Sequence, residues 1–272
     1  MVRLIHPFPS LLDGAATSAV AIIAGADPAT AARLGFAMVA LQASIGALND
    51  LVDAPADAGR KPGKPIPARL VSVRAARVTT AVAAGLGLLL SVPSGPIAVA
   101  LAVAILAIGY GYDLLAKGTA WSWLPFALGI PILPVFGWLG ADGRLPSAFV
   151  LLLPTAVAAG AALAIANSSA DLERDEAAGL ESVATRLGRD RAWAIEVALQ
   201  AVVAVVAMAS LWLRGVSPLV AAATVGAAFV IAGGLAVGRR AAQAGRQRAW
   251  ELQAVGVALL AAVWLAGFAK PG

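Results

Sequence analysis

The chain has 272 residues, 60% of them hydrophobic and only 13% charged, with a formal net charge of +5 and no cysteine. A soluble domain averages about 45–50% apolar and about 25% charged residues, so the composition defines a polytopic membrane protein and excludes a soluble one. The absence of cysteine excludes disulfides, thiol catalysis and Cys-based metal sites. The basic residues lie in loops between apolar segments, where membrane orientation explains them, and no basic domain is present to bind nucleic acid.

Apolar runs of about 20 residues, enough to cross a bilayer as a helix, fall near 8–25, 29–49, 73–92, 95–115, 120–140, 147–167, 192–213, 217–236 and 248–268. The spacing predicts about nine transmembrane helices. Low charge and abundant Ala, Gly, Val and Leu favour helices over a membrane barrel, whose strands would alternate polar and apolar residues. All Lys and Arg except Arg33, Arg144, Arg214 and Lys270 fall on one side of this topology. That bias places the N-terminus and the loops on that side in the cytoplasm. The N-terminus lacks a signal-peptide pattern, so the first run reads as a retained span.

The first helix is entered through Arg3-Leu4-Ile5-His6-Pro7-Phe8-Pro9. His6 is the only histidine and reads as a packing or headgroup residue. Asp13, inside the first span, is costly unless paired, and its depth points it to the protein interior or a wet cavity. The second run ends in Asn49-Asp50-Leu51-Val52-Asp53-Ala54-Pro55-Ala56-Asp57. On a helix, Asn49 and Asp53 share a face. Pro55 is expected to end the helix and leave Asp57 on the following loop. A cluster of carboxylates at a membrane boundary repels itself unless a cation sits in it, and oxygen-only ligands favour Mg²⁺ over Ca²⁺ or Zn²⁺.

The segment Arg60-Lys61-Pro62-Gly63-Lys64-Pro65-Ile66-Pro67-Ala68-Arg69 follows. Its prolines forbid a continuous helix. Its cations read either as positive-inside anchors or as ligands of phosphate oxygens beside the acidic cluster. Between the fourth and fifth spans stand Tyr110, Tyr112, Asp113 and Lys117, an ordinary interfacial set alone but a credible phosphate contact at Lys117 beside a diphosphate site. The fifth span, Trp121 to Trp138, carries three prolines (Pro125, Pro131 and Pro134) and reads as a broken aromatic helix able to line a cavity for an unsaturated chain.

Asn-x3-Asp-x3-Asp then returns at Asn167, Asp171 and Asp175, read as an acidic loop. Arg69-Leu70 and Arg74 are echoed by Arg186-Leu187 and Arg191. A solvated loop explains any one acid but not the repeated spacing. The repeat suggests one domain over 1–272, made of pseudo-repeats at approximately 1–117 and 118–236 plus a ninth helix at 248–268. Its two acidic clusters would form a pseudo-symmetric site where Mg²⁺ ions hold a diphosphate. Glu196, Gln200, Glu251 and Gln253 read as solvated or interfacial groups, and the Arg239 to Arg248 segment as a membrane anchor.

These motifs resemble the UbiA superfamily of intramembrane aromatic prenyltransferases. Its first signature, Asn-Asp-x-x-Asp-x-x-x-Asp, is complete in Asn49, Asp50, Asp53 and Asp57. The proline turn that follows it matches Lys64-Pro65-Ile66-Pro67. Its second signature, Asp-x-x-x-Asp, matches Asp171 and Asp175, with Gly179 and Leu187-Gly188 at the expected places. The resemblance implies an all-α bundle of nine helices around a central cavity capped by cytoplasmic loops. It implies Mg²⁺ held by Asn49, Asp53, Asp171 and Asp175, with Asn167 beside them. Arg60, Lys61, Lys64, Lys117 and Tyr112 would bind the diphosphate, and Asp50, Asp57 and Lys117 would be catalytic. The substrates would be a polyprenyl diphosphate donor and a hydrophobic or aromatic acceptor such as a quinone or lipid precursor, met within membrane lipid.

Ala68-Arg69 after the proline turn, and Asn167-Ser168 ahead of the second signature, depart from the common pattern and leave the acceptor open. A terpene-cyclase-like member would ionise the same diphosphate without a second substrate. A transporter fits less well, because its ionisable groups would lie near the bilayer midplane rather than at helix ends.

Overall fold

The structure is a computed structural model, and it describes residues 2–59 and 63–269, without the side chains of Val2, Gln243 and Ala244. The fold is all-helical, with helices α1 (Pro7–Ile23), α2 (Pro28–Asp57), α3 (Val73–Ser91), α4 (Pro96–Gly111), α5 (Leu124–Ala141), α6 (Phe149–Ala170), α7 (Leu172–Ala178), α8 (Val183–Leu187), α9 (Arg189–Leu213), α10 (Pro218–Arg240) and α11 (Gln243–Ala269). Eight of them are long and apolar enough to cross a membrane, and α1 is a shorter apolar helix. The protein is an integral membrane protein. Its apolar helices among the described residues fall where the hydrophobic runs predict them.

Local chemistry starts the helices. Asp27 accepts hydrogen bonds from the backbone amides of Ala29 (2.9 Å) and Thr30 (3.1 Å), ahead of Pro28 in the first turn of α2. Ser72 and Ser217 cap α3 and α10 in the same way. Each cap satisfies amides that have no partner within their helix.

The chain divides into two compact units, residues 1–115 with 132–144, and residues 116–131 with 145–272. In the first unit α2 is the central element. Leu34, Met38 and Leu41 on α2 pack with Ala98, Ala102, Ile105 and Leu106 on α4 and with the fully buried Phe136. Small residues bring backbones close, as bilayer helices require in the absence of a hydrophobic drive between them. A Cβ on Gly35 would lie 2.9 Å from the carbonyl oxygen of Gly14 on α1, and one on Gly109 would strike Ile45. Ser44 donates its hydroxyl to the Thr80 carbonyl (2.7 Å) and shares a hydrogen bond with the Tyr110 hydroxyl (2.8 Å), tying α2 to α3 and α4.

In the second unit α6, α9, α10 and α11 pack together. A Cβ on Gly234 of α10 would meet the Ala249 carbonyl of α11 at 2.8 Å, and one on Gly160 of α6 the Phe126 carbonyl at 2.4 Å. Glu196, Gln200 and Gln253 are buried here rather than solvated or interfacial. The Gln253 amide donates to Glu196 (2.7 Å), and the Gln200 amide reaches Gln253 (3.5 Å). The reason is depth: α9 starts at Arg189, so Glu196 is seven residues, about 10 Å, along it.

The segment at Arg239 to Arg248 is likewise more than an anchor. Arg246 is buried and donates to the carbonyls of Ser169 (2.8 Å) and Ala241 (3.3 Å) and to the Glu173 carboxylate. Arg239 bonds Asp190 (2.5 Å) and stacks on Trp193.

The fifth span is not broken. Helix α5 runs continuously through Pro125, Pro131 and Pro134. Pro125 falls in the first turn, where its missing amide costs nothing, and neighbouring helices support the other two. Its aromatic neighbours pack rather than open: Trp138 is buried, and Trp123 joins a cluster with Ile165, Val183 and Ala192.

Candidate active site

The first acidic motif stands on one uninterrupted helix. Pro55 does not end α2, which continues to a buried Asp57. A proline this near the C-terminus removes one helical hydrogen bond yet keeps a helical φ. The last turn is held from outside, with Lys64 Nζ 4.0 Å from the Asp57 carboxylate. Asn49, Asp50, Asp53 and Asp57 therefore project from one rod.

Each side chain has a distinct setting. The Asn49 side-chain amide donates to Asp113 Oδ1 at 2.8 Å. Asp113 is buried in a single π-helical turn, Tyr112–Ala116, that extends α4. Such turns are frequent at functional sites because they re-aim side chains that a regular helix would leave elsewhere. With its NH₂ committed to Asp113, Asn49 has its amide oxygen left as a ligand atom.

Asp50 is 2% exposed. Its Oδ1 accepts from Lys64 Nζ (2.5 Å) and lies 2.9 Å from His6 Nε2. Its Oδ2 is buried with no hydrogen-bond partner among the described residues. Asp53 is half-buried on the same face as Asn49.

The basic loop reaches Asp50 because its turn folds back on the helix. The amides of Leu70 and Val71 both bond the Pro65 carbonyl, at 2.9 and 3.2 Å. Ile66 and Val71 bury against Leu4, Ala47 and Ala76. That packing delivers Lys64 to two carboxylates. Arg60 and Lys61 lie outside the described residues. Tyr112, in the π-helical turn, is half-buried; so is Lys117, in the turn that follows it.

His6 is a partner that its place near the membrane surface did not reveal. It takes a left-handed backbone conformation, φ 46°, ahead of Pro7. Its ring packs over Gly46, where a Cβ would lie 3.1 Å away. Asp113 was likewise legible only as one more interfacial acid.

The second motif, in the second unit, is helical rather than a loop, and unlike the first it is split. Asn167 lies in the last turn of α6, Asp171 sits at the break with φ −107° and ψ 6°, and Asp175 stands in the seven-residue α7. Asp171 accepts from Arg174 at 2.9 Å, and the Asp175 amide bonds the Asp171 carbonyl. Gly179, in the left-handed region at φ 64°, ends α7. Ser182 caps α8 through a reciprocal bond with Thr185.

The candidate ligand atoms of both motifs are oxygens, which suits a hard cation. Among the described residues no three His, Cys, Asp or Glu side chains converge into a complete cage. Mg²⁺ matches such a setting, because it takes one or two carboxylates and completes its shell with water and phosphate oxygens. The unpartnered Asp50 Oδ2 and the free oxygen face of Asn49 supply acceptors of the right kind.

An apolar helical fold with two Asp-x-x-x-Asp motifs and a basic proline turn is the pattern of a known family of membrane proteins. The chain matches the UbiA prenyltransferase family over residues 14–254 and belongs to it. No curated protein matches it by sequence. Among solved structures, the apo UbiA homologue from Aeropyrum pernix K1 is 20% identical, with a TM-score of 0.76, and the match covers 98% of each chain. A UbiA homologue from Archaeoglobus fulgidus, solved with DMAPP and Mg²⁺, is 20% identical with a TM-score of 0.71, over 95% of this chain and 98% of that one. A structure described as digeranylgeranylglyceryl phosphate synthase is 15% identical, with a TM-score of 0.72 over 98% of this chain and 96% of the other. At these identities the structural matches establish the shared fold.

Proposed function

We propose that the protein transfers a prenyl group from an isoprenyl diphosphate to a hydrophobic or aromatic acceptor within the membrane, with Mg²⁺ as cofactor, and releases diphosphate. The observation that carries this reading is the setting of the first motif. Asn49 is oriented by Asp113, Asp50 is clamped on one oxygen by His6 and Lys64, and Asp53 shares the Asn49 face. Family membership and the Archaeoglobus homologue bound to DMAPP and Mg²⁺ support it.

Asn49 and Asp53 of the first motif, and Asp171 and Asp175 with Asn167 in the second, are the proposed metal ligands. When bound, Mg²⁺ neutralises the negative charge that develops on the departing diphosphate. Asp50 and Asp57 hold Lys64 at the first motif, where its ammonium group adds positive charge for the same oxygens. Lys117, Arg60, Lys61 and Tyr112 complete the proposed diphosphate contacts. The allylic cation left behind calls for a pocket sheltered from water. The lysine and arginine bias puts the N-terminus and both motifs on the cytoplasmic side.

The test is release of diphosphate from geranylgeranyl diphosphate by purified protein, with and without Mg²⁺, against a panel of acceptors. Mg²⁺-dependent release coupled to one acceptor is the expected result. Metal-independent release, or none from any donor length, overturns the reading.

A further inference from the structure

Asp13 is an ionisable side chain within an apolar helix, a placement that membrane proteins reserve for function. Its one hydrogen-bond partner among the described residues is Gln42, whose amide donates to Oδ2 at 2.7 Å. The lipid-facing side of α1 is marked by Leu11 and Ile22, 61% and 59% exposed. At about 100° per residue, Asp13 lies on the opposite side of the helix, next to the buried Ser10, Thr17 and Val20. Yet Asp13 remains partly accessible. A carboxyl group turned away from lipid and still partly accessible faces space inside the protein.

The partner on α2 points to the same space. Residues 31–47 of α2 are largely buried, but Gln42 is partly accessible. Seven and eleven residues further along the helix come Asn49 and Asp53, each within about 20° of Gln42 around the helix axis. Along the helix Gln42 lies about 10 Å deeper than Asn49. Gly46 stands between them, under the His6 ring. One turn deeper than Asp13 on α1, the Thr17 hydroxyl is buried without a hydrogen-bond partner among the described residues.

We propose that Asp13, held by Gln42, determines the acceptor: it accepts a hydrogen bond from a hydroxyl or amine of the incoming acceptor and turns away acceptors that carry a carboxylate there. The proposal rests on the transferase reading above and specifies its second substrate. The chemistry is one-sided. When ionised, the Asp13 carboxylate offers acceptor atoms only: one Gln42 N–H takes Oδ2, and Oδ1 is left to draw a donor and repel an anion. Its depth below the first motif puts that selection beyond the diphosphate, where the prenyl carbon meets its nucleophile.

The experiment compares wild type with Asp13→Asn, an isosteric change, and with Gln42→Leu, which removes the clamp and leaves the acid. The probes are 1,4-dihydroxynaphthalene, its 2-carboxylated counterpart and a glycerol-phosphate ether lipid, with geranylgeranyl diphosphate as donor. Wild type is expected to prefer an acceptor without a carboxylate. In Asp13→Asn the KM for that acceptor rises about tenfold or more, as loss of a charged hydrogen bond predicts, and the carboxylated probe gains. The donor KM and Mg²⁺ half-saturation stay unchanged in both variants.

A wild-type preference for the carboxylated probe overturns the proposal, as does an Asp13→Asn variant with unaltered acceptor selectivity or one that merely melts earlier. If diphosphate is released under Mg²⁺ control but no hydroxyl-bearing probe is joined, the acceptor role of Asp13 falls while the metal–diphosphate assignment stands. If no Mg²⁺-dependent release occurs, the transferase reading itself falls.

Discussion

Asn49 and Asp113 are joined by a 2.8 Å hydrogen bond in which the asparagine NH₂ is the donor, so the acid on the π-helical turn dictates which atom of Asn49 stays available. Orienting partners of this kind typically tune metal affinity by about 10–100-fold. Asp113→Ala frees the amide to rotate and is expected to raise the Mg²⁺ concentration for half-maximal diphosphate release by about tenfold. A metal titration of the variant beside wild type checks it; unchanged metal dependence would refute the orienting role.

Lys64→Met leaves the buried Asp50 with His6 as its remaining partner. Removing one member of a buried pair costs on the order of 3 kcal/mol, since the surviving charge loses its compensation. The variant should unfold at visibly lower denaturant in detergent. Asp50→Asn combined with Lys64→Met should recover part of the loss, because no unpaired carboxylate then remains.

Asp53→Ala and Asp171→Ala should each abolish turnover, with insertion and melting behaviour retained, because both acids are half-buried at helix ends rather than in the core. Activity assays on purified variants of wild-type stability decide the matter. Near-normal turnover in either one sinks the assignment of that residue to the metal.

Gln253→Leu removes the donor to Glu196 and leaves a buried carboxyl group unsatisfied, a cost of about 1–2 kcal/mol in a membrane helix pair. Glu196→Gln keeps the hydrogen bond and should shift stability by less than about 1 kcal/mol. Equal destabilisation of the two variants would show that the contact matters through packing and not through hydrogen bonding.

Arg246→Met deletes the donors to Ser169, Ala241 and Glu173 that brace the junction of α6 and α7. Backbone amides of Leu172–Ala178 should then exchange with solvent about tenfold faster, read by hydrogen exchange, while those in the middle of α6 keep their protection.

The helices were legible because bilayer-spanning length and low charge leave one economical solution. Both motifs were legible as spacing, but their local geometry was not. Pro55 looked like a stop from propensity alone, whereas α2 runs on through it to Asp57, which lies beside Lys64. The same Asn-x3-Asp-x3-Asp pattern is one rod in the first copy and a break followed by a short helix in the second, where Arg246, 71 residues beyond Asp175, bonds both sides of the break. The pairings of His6 and Asp113 were not legible for a related reason. Each acts through a residue far along the chain, and no periodicity announces such a pairing. Glu196 and Gln253 were misplaced because nearness to a helix end says little about which side of the helix is covered.

The break at Asp171 also has a consequence for biogenesis. Seven residues are too few to hold a helix unaided, and the Arg246 contacts that brace α7 come from α11, which is synthesised after it. The first motif is complete once α2, the loop behind it and the turn that carries Asp113 have been inserted. A nascent chain halted before α11 would thus display one finished motif and one slack one.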